Sequence, residues 1–358
     1  MLDSDYPTLA ERLGREGYAT GGFVANIFWT GRHTGLARGF LHYEDFYGTL
    51  GDALQRMTLV RDFQKLQEWT GGVDIRGRKH ASHINDDFLG WVDRLDGRPF
   101  FAFLNYMDVH APYLPPAPFE GMFGPVRPEF RPRKLEIGNE PLKRPSAEML
   151  VHRIDRYDES LRYLDEHIGR LLAQLEQRGL LENTAIIVTS DHGEHFGEHG
   201  LHEHGKSLYT QETQVPLIIR RPGGTAGGRV KEPVSTINLA ATVGALTGLP
   251  PATFPGRSLL PQRGGSTDGV PVFSEMGETG LRGAPAEQGW LRSLVDRQWH
   301  FILRQNGEME LYDLVQDPEE TNNLAPSPDH AAVVRRLRDK LEKILASSGE
   351  RTFKKAGR

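Results

Sequence analysis

The sequence predicts an α/β protein with a mostly parallel sheet flanked by helices, followed by a small C-terminal α+β subdomain with antiparallel strands. Three observations carry that reading. Apolar runs of strand length occupy residues 19–25, 100–105, 184–190 and 215–219. Helical patterns stand between them, and alternation of the two kinds builds a parallel sheet. After about Pro261 the texture changes to four closely spaced short strands, at 270–274, 290–295, 299–304 and 309–314.

The elements follow in order. Pro7 opens a short helix with Leu9 and Leu13 on one face, and Gly17 stops it. Residues 19–25, ATGGFVA, read as a buried strand despite two glycines, and 31–47 as loop. Residues 76–96 carry Ile84, Phe88, Trp91, Val92 and Leu95 at helical spacing. The strand at 100–105 runs into a proline-bounded loop around Asp108 and His110, and 114–145 is a surface excursion rich in Pro, Arg and Glu. From Ser146 to Arg178 apolar residues alternate in steps of three and four, with Ser146 as N-cap and Gly179 just past the end. A coiled coil is the other reading of that spacing, but the pattern stops at Gly179 and a strand follows. A helix at 237–246, an Asn306-Gly307 type I′ hairpin turn and a last amphipathic helix from Pro328 complete the set. The expected organisation is an α/β domain at 1–261, an α+β subdomain at 262–350 and a frayed basic tail at 351–358.

Composition narrows the chemistry. Lys and Arg number 43 against 48 Asp and Glu, a net charge of -5, so neither nucleic acid nor a membrane surface is an expected partner. No signal peptide or membrane-spanning run is visible, and the expected location is cytoplasmic. The absence of cysteine removes disulfides, thiolate metal sites and a cysteine-derived nucleophile. Nothing in the sequence reads on oligomeric state.

Five of the fourteen histidines fall between His192 and His204. Asp191 and His192 end an apolar strand, where sites of open α/β sheets form. A carboxylate and an imidazole together suit Ca2+, Mn2+, Mg2+ or Zn2+, and Gly193 lets the backbone turn beside them. The competing reading makes Ser190-Asp191 a plain cap. A zinc cluster of His195, His199, His202 and His204 lacks the spacing of a helical zinc site, so a solvated or supporting role is expected for the first three. His204 adjoins Gly205-Lys206, and Lys206 is a compact charge suited to a tetrahedral anion, although a lone lysine is by default a surface residue. His110 is a candidate proton donor to a leaving group, against the reading of an ordinary loop histidine. Asp108 either orients it or faces solvent.

Five segments, in order along the chain, resemble the sulfatase family. They are PTLAERLGREGYATGGF at 7–23, His110-Ala111-Pro112-Tyr113, RYDESLRYLDEHIGRLLAQLEQRGLLENTAIIVTSDHGE at 156–194, HGKSLYTQETQVPLII at 204–219, and ELYDL at 310–314 with its DPEETNNL continuation. The resemblance implies the alkaline-phosphatase-like fold and hydrolysis of a small-molecule or saccharide sulfate ester. It implies Asp191 and His192 as metal ligands, Ca2+ first among the four ions, and Lys206 and His110 as contacts of the sulfate group or the leaving oxygen; His204 stands beside them as a further candidate substrate contact. One departure is large. The family's nucleophile motif, C-x-P-S-R or S-x-P-S-R, has no counterpart, and the chain begins at the segment that normally follows it. The expectation is therefore an N-terminally truncated member, inactive alone, in which Arg32 and His33 are further candidate anion contacts. A phosphomonoesterase or phosphonate monoester hydrolase of the same superfamily, and a catalytically dead binding homologue, are the alternatives.

Overall fold

The computed structural model describes residues 5–45, 78–130, 145–224, 227–251, 253–260, 270–279 and 284–347. The start of the helix expected at 76, residues 131–144 of the excursion and the tail at 351–358 lie outside them. The chain divides into two compact units after Leu180.

In the first unit, α1 (Leu9–Arg15) begins with a capping box. Thr8 Oγ1 accepts from the Glu11 amide at 3.1 Å, and Glu11 Oε2 accepts from the Thr8 amide at 2.8 Å. Then comes β1 (Ala19–Val24), buried throughout, followed by α2 (Ile27–Thr30) and β2 (His42–Glu44). With β3 (Phe100–Asn105) they form a parallel sheet in the order β2-β1-β3. The two glycines of β1 give room for packing. A Cβ on Gly22 would stand 2.4 Å from the Tyr43 ring, and one on Gly21 2.9 Å from Trp91. The helix read at 76–96 is α3 (Ala81–Val92). Its Phe88 and Trp91 meet Phe23 and Phe100 edge to face, an aromatic core under β1. The long helix is α4 (Ala147–Gln177), with Ser146 Oγ accepting from the Met149 amide and Gly179 left-handed at φ +68°.

The second unit holds β4 (Ile186–Thr189) and β7 (Leu217–Arg220), paired antiparallel rather than parallel. The apolar strand read at 184–190 is half-buried at Ile186–Val188 and exposed at Thr189, because among the described residues only β7 flanks it. Between them lie the short pair β5 (His195–Phe196) and β6 (His202–Glu203) and the one-turn α5 (Thr210–Thr213). Next comes α6 (Asn238–Leu246). The C-terminal sheet of β8 (Val272–Met276), β9 (Leu291–Asp296), β10 (Trp299–Arg304) and β11 (Met309–Asp313) is antiparallel, in the order β11-β10-β9-β8. Leu337 and Leu341 of α7 (Ala331–Ser347) are fully buried against its Leu294, Phe301 and Leu311. The β10–β11 turn is not the expected type I′. The Gly307 amide donates to the Arg304 carbonyl, the Arg304 amide donates to Glu308, and only Gly307 is left-handed. That is a three-residue turn with a G1 bulge, in which Asn306 instead uses its side chain to accept from the Glu308 amide at 3.0 Å.

Candidate active site

Asp191 and His192 leave the end of β4 in a turn organised by their own polar groups. Asp191 Oδ1 accepts from the His192 amide at 3.1 Å, and Ser190 Oγ donates to the His192 carbonyl at 2.8 Å. No helix follows, so Ser190-Asp191 is not a helix cap. His192 Nδ1 lies 2.8 Å from the Gly193 carbonyl, which can only accept, so the hydrogen sits on Nδ1 and the lone pair on Nε2. Nε2 stands 3.7 Å from Asp191 Oδ1, and the Asp191 side chain is 84% exposed. One imidazole nitrogen and one carboxylate oxygen side by side fit a divalent cation.

Gly193 serves a purpose other than the expected one. Its φ is not positive. A Cβ there would stand 2.1 Å from the Gln211 carbonyl oxygen, and its amide donates to the Glu212 carbonyl at 2.8 Å. Only a glycine lets α5 come this close to the Asp-His turn.

The 204–206 segment meets that turn. The His204 ring stacks on His192 with centroids 3.8 Å apart, and its Nδ1 is 3.1 Å from Glu194 Oε1. Burial pushes the His204 pKa down, but the hydrogen bond and charge of Glu194 outweigh it and hold the group above its ordinary value. Lys206 Nζ donates to the His202 carbonyl and lies 3.9 Å from Glu203 Oε2.

His110 belongs to the first unit, in the loop after β3. Its Nδ1 lies 2.6 Å from the Ala111 carbonyl. Arg78 brackets the loop by donating to the Met107 and Pro112 carbonyls. The structure decides the role of Asp108. It is buried, and its Oδ1 lies 3.3 Å from both His80 Nδ1 and the Ala81 amide at the start of α3, so it orders that helix start and its histidine. Arg32 and His33 share one exposed turn, and Arg32 is held by Asp45 at 3.4 Å and by the Tyr43 carbonyl.

The partners of two supporting groups carried no signal in the sequence. His195, expected to be either solvated or supporting, is buried, with Nε2 2.9 Å from the buried Ser207 hydroxyl. His199 stacks on Tyr209 at 3.7 Å and is pushed below its ordinary pKa by burial. Tyr209 in turn donates to Glu310 of β11 at 2.9 Å, and Glu310 also binds Arg304 and Tyr312. The Thr210 amide and hydroxyl both donate to buried Glu320, at 2.7 and 2.9 Å. The partners of Tyr209 and Thr210 lie about a hundred residues away in sequence.

The family model described as "Sulfatase" matches residues 2–249. The chain belongs to the sulfatase family. Among its relatives is "Uncharacterized sulfatase YidJ" of Escherichia coli (strain K12), 28% identical over 307 residues that cover 78% of this chain and 60% of that protein. The phosphonate monoester hydrolase of Agrobacterium radiobacter superposes with a TM-score of 0.73 at 22% identity, covering 98% of this chain and 82% of that one. A protein solved with its substrate D-glucosamine-2-N,6-O-disulfate superposes with a TM-score of 0.68 at 19% identity, covering 98% and 84%. The fold is the alkaline-phosphatase-like fold of the sulfatases. The chain spans about 60% of the length of the first curated relatives it matches. Members of the family depend on a divalent metal. No helix among the described residues is long and apolar enough to cross a membrane.

Proposed function

We propose that this chain supplies part of the active site of a sulfuric ester hydrolase acting on a small-molecule or saccharide sulfate. The observation that carries the reading is the Asp191–His192 pair at the end of β4, with its donor atoms 3.7 Å apart. These two residues would hold a divalent ion, Ca2+ before Mn2+, Mg2+ or Zn2+. When bound, such an ion acts as a Lewis acid on the non-bridging oxygens of the ester. Lys206 offers a compact positive charge to the same oxygens, and His204, its protonated form favoured by Glu194, adds a second donor. The family resemblance, rather than any placement against the second unit, offers His110 as proton donor to the leaving oxygen. The substrate of the glucosamine-disulfate-bound neighbour supports the saccharide half of the reading.

Two measurements test it. Calcium binding by calorimetry should weaken at least tenfold in Asp191→Ala and His192→Ala; equal affinity in both variants removes the metal assignment. Turnover of an aryl sulfate against an aryl phosphate, assayed on the polypeptide as the cell makes it, tests the substrate class, and a phosphate preference would favour the phosphohydrolase reading. From these 358 residues alone no turnover is expected, because the nucleophile motif is not among them.

A further inference from the structure

The amides of Gly205, Lys206 and Ser207 converge on one carboxylate. Glu212 Oε1 accepts from Gly205 N and, at 3.2 Å, from Lys206 N. Its Oε2 accepts from Lys206 N at 3.3 Å, from Ser207 N at 3.1 Å and from Ser207 Oγ at 3.2 Å. Gly205, at φ +76°, supplies the left-handed residue that turns successive amides inward. Such a concavity of backbone amides is an anion-binding nest, a place where proteins commonly take a phosphate or sulfate. Here its occupant is the protein's own carboxylate, on a residue only 5% exposed.

Two further contacts give Glu212 reach. Its carbonyl accepts from the Gly193 amide at 2.8 Å, next to His192. Its Oε2 also lies 3.5 Å from His195 Nε2. Glu212, His195 and Ser207 have the composition of a hydrolytic triad, but the histidine and serine are each 1% exposed, so the serine has no approach for a substrate. The group is architectural. One residue thereby ties the Asp191–His192 turn, through its main chain, to the Lys206 segment, through its side chain.

We propose that Glu212 is the positioning residue for Lys206, an internal anion that fills the 205–207 nest and so fixes the backbone that carries the lysine to the Asp191–His192 turn. The inference rests on the reading of Lys206 as an anion contact. A consequence is that the nest amides are closed to substrate, so the ester's charged oxygens are met by side chains and metal rather than by backbone.

The test is a double-mutant cycle on the affinity of the chain for inorganic sulfate, read by amide chemical-shift titration. Glu212→Gln keeps the shape but aims a donor group at the nest amides. It should weaken sulfate binding about tenfold when Lys206 is present and by less than about twofold in a Lys206→Ala background. Faster hydrogen exchange at the 205, 206 and 207 amides should accompany it. Losses that simply add across the cycle, or an unchanged affinity in Glu212→Gln, overturn the proposal while leaving the role of Lys206 intact. A wild-type chain whose sulfate affinity is the same as that of Lys206→Ala overturns the lysine reading, and this inference with it. Should Glu212→Gln fail to fold, judged by its thermal transition, Glu212→Asp replaces it in the same cycle. Its shortened side chain keeps the charge but withdraws it from the amides, and the same outcomes decide.

Discussion

Gly193→Ala is the sharpest single perturbation of the site. An added methyl would meet the Gln211 carbonyl oxygen at 2.1 Å and the Gln211 carbonyl carbon at 3.0 Å. The backbone must open by about 1 Å to reach ordinary contact, and the obstacle is main chain, which cannot swing aside. Such overpacking costs about 1–3 kcal/mol. The displacement also breaks the 2.8 Å bond from the Gly193 amide to the Glu212 carbonyl, worth about 1 kcal/mol more. The expected loss is therefore about 2–4 kcal/mol, read as a lower urea midpoint at unchanged m-value. Gly169 is the control. It lies exposed within α4 with nothing within 4 Å of an added Cβ, so Gly169→Ala should stabilise by about 0.5–1 kcal/mol. A Gly193→Ala variant within about 0.5 kcal/mol of wild type would refute the close approach of the Asp-His turn to α5.

Other outcomes follow from the C-terminal sheet that supports the site. Asp296 is buried, and Arg336 and Lys340 of α7 each donate to its Oδ2 at 2.7 Å. Burial raises its pKa, but these two cations outweigh it and hold it below its ordinary value. Its contribution to stability is therefore complete above the unfolded value of about 3.9 and is lost as pH falls through the lower folded value. Asp296→Asn should lower the urea midpoint at pH 7, and its deficit against wild type should shrink only below about pH 4; a deficit that already fades between pH 7 and 5 would contradict the pairing. Leu337 is fully buried against Leu294, Phe301 and Leu311, so Leu337→Ala should cost about 2–5 kcal/mol in the same assay. A cost under about 1 kcal/mol would show that α7 does not seal that core.

Local features were legible in the sequence because they obey short-range rules. The caps at Thr8 and Ser146 follow from side-chain oxygens next to unsatisfied amides, although Thr8 was passed over for Pro7. Strands β1 and β3 follow from apolar runs, and Asp191 and His192 from their place at the end of one. The same local reasoning misjudged the hairpin at Gly307, since Asn-Gly permits both a type I′ turn and a bulged turn and the pairing register selects between them. It left Asp108 undecided, because the Ala81 amide it receives is 27 residues away in sequence.

Most element types, the family and the candidate ligands were legible in the residues, although 31–47, read as loop, contains β2, three residues too short to leave a pattern and formed by pairing with β1. Each legible feature depends on residue identity at fixed spacing along the chain. Packing in three dimensions makes β4 pair antiparallel with β7, makes Gly193 a matter of space, and buries His195. It also fills the 205–207 amides with Glu212 and hangs Tyr209 and Thr210 from Glu310 and Glu320. Those contacts satisfy buried polar groups. A buried donor or acceptor must find a partner wherever the chain brings one, so its partner is set by the packed fold and not by its neighbours in sequence.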